Sequence, residues 1–254
     1  MYLPAQALMA LTKAHWPLFK SLDLGNTAVD PSVLPCLAEA WHNLQGLHLQ
    51  HHYVYANSIN RMVTCEWVHL KVLDLSGCEI TGTKMRLLSL GNWPNLESLN
   101  LERSALSAGD IEALVKGNWH KLQTLHFYDD LDAAAMLYLA KGPWPLLRML
   151  GLAHNHLDVK ALQHLMKGAW FELETLDLSN NMIGRNWRNP NPCGWGTGLT
   201  GPCCDAAIAV LCGDSDVVLK EGRNWLSPAK HLGYGLWPKM RFLNLSNFRM
   251  GRFC

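Results

Sequence analysis

Leucines recur along the chain in one fixed figure: Leu44, Leu47 and Leu49, then Leu70, Leu73 and Leu75, then Leu96, Leu99 and Leu101. The last two members of each triplet alternate with polar residues, the period of a strand buried on one face. The figure returns as Leu122, Leu125 and Phe127, as Leu147, Leu150 and Leu152, as Leu173, Leu176 and Leu178, and as Met240, Leu243 and Leu245. Between strands the period lengthens. Leu34 and Leu37, Ile59 and Met62, Met85 and Leu88, Ile111 and Leu114, Met136 and Leu139, and Leu162 and Leu165 are each three apart. That is the buried stripe of a short helix. Lys116-Gly117, Lys141-Gly142 and Lys167-Gly168 follow three of these stripes. Glycine there is expected to end the helix in the left-handed conformation.

A tryptophan precedes each triplet. Trp16, Trp41, Trp67, Trp93, Trp119, Trp144 and Trp170 are spaced 25 or 26 residues apart, and Trp237 leads the last triplet. Each unit therefore reads strand, turn, helix, tryptophan corner. A strand joined to the next by a helix pairs in parallel. A unit this short cannot close its own core and must stack on its neighbours. The indoles are expected to seal the corners as a column of rings. Pro17, Pro94, Pro145 and Pro238, directly after a tryptophan, are expected to keep the helix from running into the strand.

The segments LESLNLERSAL, LRMLGLAHNHL and LETLDLSNNMI resemble the LxxLxLxxNxL signature of leucine-rich repeat proteins, and the helical second half resembles the ribonuclease-inhibitor-like class. The resemblance covers residues 5–183 well and 228–254 more loosely. It implies an α/β solenoid, or horseshoe, with parallel strands on the concave face and helices on the convex face. The turn asparagine of that signature stands at Asn155 and Asn181, but Thr27, His52, Cys78 and Ser104 replace it elsewhere. A mixed polar ladder of this kind is expected to be weaker.

The pattern breaks after Ile183. Residues 184–205 are rich in Gly, Pro and Cys and read as an insertion; 206–236 read as a degenerate unit and 237–254 as a terminal strand unit. The insertion carries Arg185, Trp187, Arg188 and Trp195, residue types that anchor interfaces. It reads either as a secondary binding loop or as a tolerated surface insertion. Cys193, Cys203, Cys204 and Cys212 cluster there, but without the paired hooks of a zinc site.

The formal net charge of +1 encodes no general attraction to nucleic acid or an anionic membrane. No apolar run approaches the roughly 18 residues of a membrane span, and no signal peptide is read at the N-terminus. Cysteine usage fits a reduced, cytoplasmic protein. Both ends read as uncapped, which predicts self-association or continuation into a longer chain.

Strand residues between the leucines should face the concave side. Seven residues after each tryptophan stand Asp23, His48, Asp74, Asn100, His126, Gly151, Asp177 and Asn244. Asp23, His48 and Asp74 form a trio that could serve a metal-dependent enzyme, a minor reading because polar residues are required on this face in any case. Further along, Glu102, Arg103, His126, Tyr128, Asp129 and His154 gather charge, aromatic and imidazole groups on adjacent units. This patch suits a protein or peptide partner, against the alternative of a merely solvated face. The expected function is non-catalytic recognition, with no cofactor or metal. The alternative is a substrate-recognition arm of a ubiquitin-ligase-like assembly or a receptor fragment.

Overall fold

The computed structural model describes residues 5–182 except 15, 17, 28–32, 34–36, 38–39, 66 and 129, together with 218–220, 237–244 and 246. In chain order the described elements begin α1 (Ala5–Thr12), β1 (Ser21–Asp23), β2 (Gly46–His48), α2 (Ala56–Thr64), β3 (Val72–Asp74) and α3 (Thr83–Leu88). They continue as β4 (Ser98–Asn100), α4 (Ala108–Leu114), β5 (Thr124–His126), α5 (Ala133–Leu139), β6 (Met149–Gly151), α6 (Val159–Leu165) and β7 (Thr175–Asp177). β8 (Val218–Lys220) and β9 (Phe242–Asn244) complete one parallel sheet. Among the described residues no helix is long and apolar enough to cross a membrane.

Pairing follows the repeat. Leu22, Leu47, Leu73, Leu99, Leu125, Leu150, Leu176 and Leu243 are successive cross-strand partners. They form one buried column, and α2 through α6 pack on one another in sequence behind it. Helix starts are fixed by side chains. Ser107 and Asp110 make a capping box on α4, and Asp132 and Asp158 accept backbone N–H bonds from Ala135 and Ala161.

Strand order departs from chain order at the end, where β9 lies between β7 and β8. The unit that seats on Trp170 is the one carrying Trp237, Met240 and Leu243, all buried. β8 lacks that equipment: seven residues before Lys220 stands Gly213, not tryptophan. The strand with the complete apolar figure therefore takes the place against the core.

Three tryptophan corners are closed by hydrogen bonds, whereas Trp41, Trp67, Trp93 and Trp237 bury an Nε1 with no hydrogen-bond partner among the described residues. Trp119, Trp144 and Trp170 donate Nε1–H to the carbonyls of Leu114, Leu139 and Leu165, at 2.6, 2.8 and 2.6 Å. Each of these residues is the last of its helix, and its carbonyl also accepts the N–H of Gly117, Gly142 or Gly168, so the indole adds a second donor at the helix end. Ring stacking is secondary: among the described residues only Trp93 and Trp119 approach as a tryptophan pair, at 6.3 Å between centroids.

The glycines before the tryptophans are explained by the same contact. Gly117, Gly142 and Gly168 do not have positive φ, so the expected left-handed cap is not what selects them. A Cβ at any of the three would run into the indole two residues ahead. Gly-x-Trp is therefore a clasp, in which absence of a side chain lets the ring lie over the backbone. Nor does proline end the helices. α3 and α5 stop at Leu88 and Leu139, before Pro94 and Pro145, and α6 stops at the same phase with Phe171 in the proline position.

The turn ladder is mixed, as expected, and its bonding differs residue by residue. Asn181 Nδ2 donates to the carbonyls of Leu152, Leu178 and Ser179, while its Oδ1 accepts from Leu157 N–H. Asn155 likewise holds Leu131 N–H and the Ala153 carbonyl. The replacements do less: His52 Nε2 lies 2.6 Å from the Leu24 carbonyl, and Cys78 Sγ 2.9 Å from that of Leu49. Burial pushes the Cys78 thiol up to about 11, so it is a packed thiol and not a reactive one.

Candidate functional site

The concave row was the first candidate for chemistry, and its register is as expected. Asp23, His48, Asp74, Asn100, His126, Gly151, Asp177 and Asn244 are successive Cα partners across eight strands. Their side chains, however, are mostly committed to the backbone. Asp23, Asp74, Asn100, Asp177 and Asn244 each accept the N–H two residues ahead, at 2.8, 2.9, 3.0, 2.9 and 3.1 Å. These are Asx turns that finish each strand. Asp74 also accepts from Gln50 Nε2 at 3.1 Å, leaving neither oxygen free of a donor. Asp23 and Asp74 of the trio Asp23, His48 and Asp74 are thus engaged in turn closure. Among the described residues no group of three or more His, Cys, Asp or Glu side chains is placed to hold a metal.

Three row positions give up the Asx turn: His48, His126 and Gly151. Two of them meet. A Cβ on Gly151 would collide with the His126 ring, which occupies the space the glycine leaves. On the other side His126 Nδ1 lies 3.8 Å from Glu102 Oε1. The imidazole is thereby set between a carboxylate and bare backbone.

Beside it runs a stack of planar groups, carried by the turns that lead out of β4, β5 and β6. The Arg103 guanidinium lies 5.5 Å from the Tyr128 ring centroid, and Tyr128 lies 4.4 Å from the His154 ring. Asn180 Nδ2 closes the row 2.9 Å from His154 Nε2. With the amide donating, Nε2 is the unprotonated ring nitrogen. Arg103, His154 and Asn180 hold positive φ of 54, 54 and 57°, as do Asn26 and His51 at the same turn position of other units. That conformation turns the side chains of this position onto the rim.

The structure thus brings Glu102, Arg103, His126, Tyr128 and His154 together. Asp129 lies outside the described residues. So do Arg185, Trp187, Arg188 and Trp195, together with Cys193, Cys203, Cys204 and Cys212.

Sequence reasoning missed a second surface feature, the pair Tyr53 and Tyr55. They are 61% and 59% exposed, 4.9 Å apart edge to face, with Lys84 Nζ 5.0 Å from the Tyr53 centroid. The available signal was local: HHYVYAN places two tyrosines at turn positions where no other unit carries one.

The Leucine Rich Repeat family profile matches residues 69–91 and 172–194, two of the units whose strands pair in register above. The chain carries leucine-rich repeats. Among solved structures it is similar to a TLR13–ssRNA13 complex, at 21% identity and a TM-score of 0.47, covering 66% of this chain and 23% of that one. It is also similar to the yeast Rad7–Elc1 complex, at 16% identity and a TM-score of 0.43, covering 70% of this chain and 60% of that one. The leucine-rich repeat chain thus spans less than two thirds of either neighbour. No curated protein matches it.

Proposed function

We propose that this protein is a non-catalytic recognition module that binds a protein or peptide on its concave face, over Glu102, Arg103, His126, Tyr128 and His154. One observation carries the reading. Where five units close their strands with Asx turns, β5 and β6 end in His126 and Gly151. The same stretch places Asp130, exposed and bonded to His156, where Asn155 and Asn181 serve the buried ladder of their own units. Repeat-stabilising groups are given up together, and charged and aromatic groups stand in their place. Local rules are broken in this way mainly at functional sites.

The test is a photo-crosslinking residue at position 128, followed by affinity measurement with the recovered partner. Tyr128→Ala and Arg103→Ala should each weaken that partner about 30-fold, as for an anchor worth roughly 2 kcal/mol. The convex variant Lys167→Ala should bind as wild type. Retention of the partner by both concave variants, with loss in convex or 184–205 variants, would assign recognition to a different surface.

A further inference from the structure

Two cations on the rim where strands turn toward helices make no ion pair among the described residues. Each rests instead against a tyrosine face: Arg103 on Tyr128 at 5.5 Å and Lys84 on Tyr53 at 5.0 Å. Three other cations are neutralised across neighbouring units. Lys71 with Glu97, Arg148 with Glu174 and Lys239 with Glu172 bridge neighbouring units at 2.8, 3.8 and 2.6 Å. The acids nearest in sequence to the two rim cations do not serve them. Glu102 faces His126, Asp74 is taken by Ser76 N–H and Gln50, and Asp110 is taken by Gly82 N–H and Ser107. Glu79 is exposed and makes no ion pair among the described residues.

We propose that this rim binds an acidic peptide segment, with Lys84 and Arg103 as its two carboxylate anchors and Tyr53, Tyr55 and Tyr128 as the apolar wall along it. The inference deepens the reading of the concave side as a recognition surface and rests on it. A cation laid on an aromatic face is already held in place, so less side-chain freedom is lost on binding. The guanidinium edge keeps its N–H donors, which match a carboxylate in two parallel bonds. Two tyrosines exposed side by side supply contact area at low entropy and hydroxyls for peptide carbonyls. An acidic segment fits because both anchors are positive and make no ion pair among the described residues.

The experiment measures binding of a fluorescent Asp–Gly repeat peptide, beside Ser–Gly and Lys–Gly peptides of equal length and an oligouridylate. The Asp–Gly peptide should bind at least about tenfold more tightly than the Ser–Gly peptide. Lys84→Gln and Arg103→Gln should each weaken it about five- to tenfold, as loss of one charge-assisted contact does. Lys141→Gln, whose ammonium lies over Tyr138 on a helix of the convex side, is the control and should leave binding unchanged. Urea midpoints of all three variants should match wild type, because the replaced side chains lie outside the core. Equal binding of the Ser–Gly peptide, insensitivity to both rim substitutions, or preferential capture of the oligouridylate through the same two cations would each overturn the proposal. A crosslinked partner that still depends on Tyr128 in any of those cases would leave the broader recognition reading standing, so the two failures are separable.

Discussion

Replacing Gly117 by alanine tests whether the glycines before the tryptophans serve the ring or the backbone. In the structure a Cβ at Gly117 would sit 2.5 to 2.7 Å from Nε1, Cε2 and Cζ2 of Trp119. The obstacle is a ring that is itself 2% exposed, so it cannot swing clear without opening the core. Overpacking of this kind costs about 1–3 kcal/mol. Displacing the indole also strains its 2.6 Å bond to the Leu114 carbonyl, a further ~1 kcal/mol. Against this, removing a glycine restricts the unfolded chain and returns about 0.4–1 kcal/mol. The net expectation is a loss of about 2–3 kcal/mol in equilibrium urea unfolding followed by tryptophan fluorescence. Gly117→Asn separates the two explanations. Asparagine is tolerated at a left-handed cap, but under an indole it should be at least as harmful as alanine. Gly109 supplies the control, since a Cβ there meets only Ser107 Oγ, at 3.7 Å. Gly109→Ala, inside α4, should stabilise by about 0.5–1 kcal/mol. A neutral Gly117→Ala, or an asparagine variant close to wild type, would refute the clasp.

Other consequences follow from the same geometry. Trp93→Ala and Trp170→Ala remove rings that are 2% and 1% exposed, and should each lower stability by about 3–5 kcal/mol. Trp16→Ala, at a site 50% exposed, should lower the urea-derived stability far less; equal losses would mean that the corners do not share one role. Asn181→Ala strips three carbonyls and one N–H of their partner and should cost about 2–4 kcal/mol. Ser104→Ala, with one long contact of 3.5 Å, should stay near 0.5 kcal/mol. Cys78 keeps its proton in the fold because burial raises its pKa from 9.0 to about 11. The folded state therefore binds a proton that the unfolded state has released between those values. Stability should hold below pH 9 and fall by up to about 2–3 kcal/mol as pH rises from 9 to 11. Cys78→Ala should flatten that decline in pH-dependent unfolding, and alkylation of Cys78 in the native protein should be slow; rapid alkylation would show the thiol is accessible.

Much of the fold was legible because a solenoid repeats its physics. The leucine figure returns with one spacing, and a side chain seven residues after a tryptophan must lie on the same concave row in every unit. Strand partners, the buried column and the helix stripes all follow from that periodicity. The bonding partners did not. Gly117 looks like a helix stop in the sequence, because a terminal glycine and a glycine under an indole leave the same letter. Asp23 and Asp74 look like ligands for the same reason: a carboxylate that closes an Asx turn is indistinguishable, as text, from one that awaits a metal. The end of the array was illegible for another cause. Val218–Lys220 precedes Phe242–Asn244 in the chain, yet the later strand lies against β7, since order in the sheet is decided by which strand brings Trp237, Met240 and Leu243 to the core.

That distinction also locates where function can be sought in such a chain. A position bound to the repeat by hydrogen bonds has its identity set by the fold, whatever chemistry its side chain suggests. Asp177 and Asn100 belong to this class, as their Oδ1 atoms hold Ser179 and Glu102 N–H. His126 and Gly151 stand in the same row, and neither closes the turn. Turn closure therefore does not set the identity of those two positions. The ring of His126 then lies in the space of the missing Gly151 side chain, beside Glu102 and next to the Arg103–Tyr128–His154 stack. Lys84 with Tyr53 repeats the arrangement near β2, where His48 also abandons the turn and His52 replaces the ladder asparagine. Both departures from the repeat thus coincide with a tyrosine ring beside a cation that makes no ion pair among the described residues. Sites of binding on this solenoid are therefore best sought where the repeat stops stabilising itself, and the polar residues that obey it are the least informative ones on the concave face.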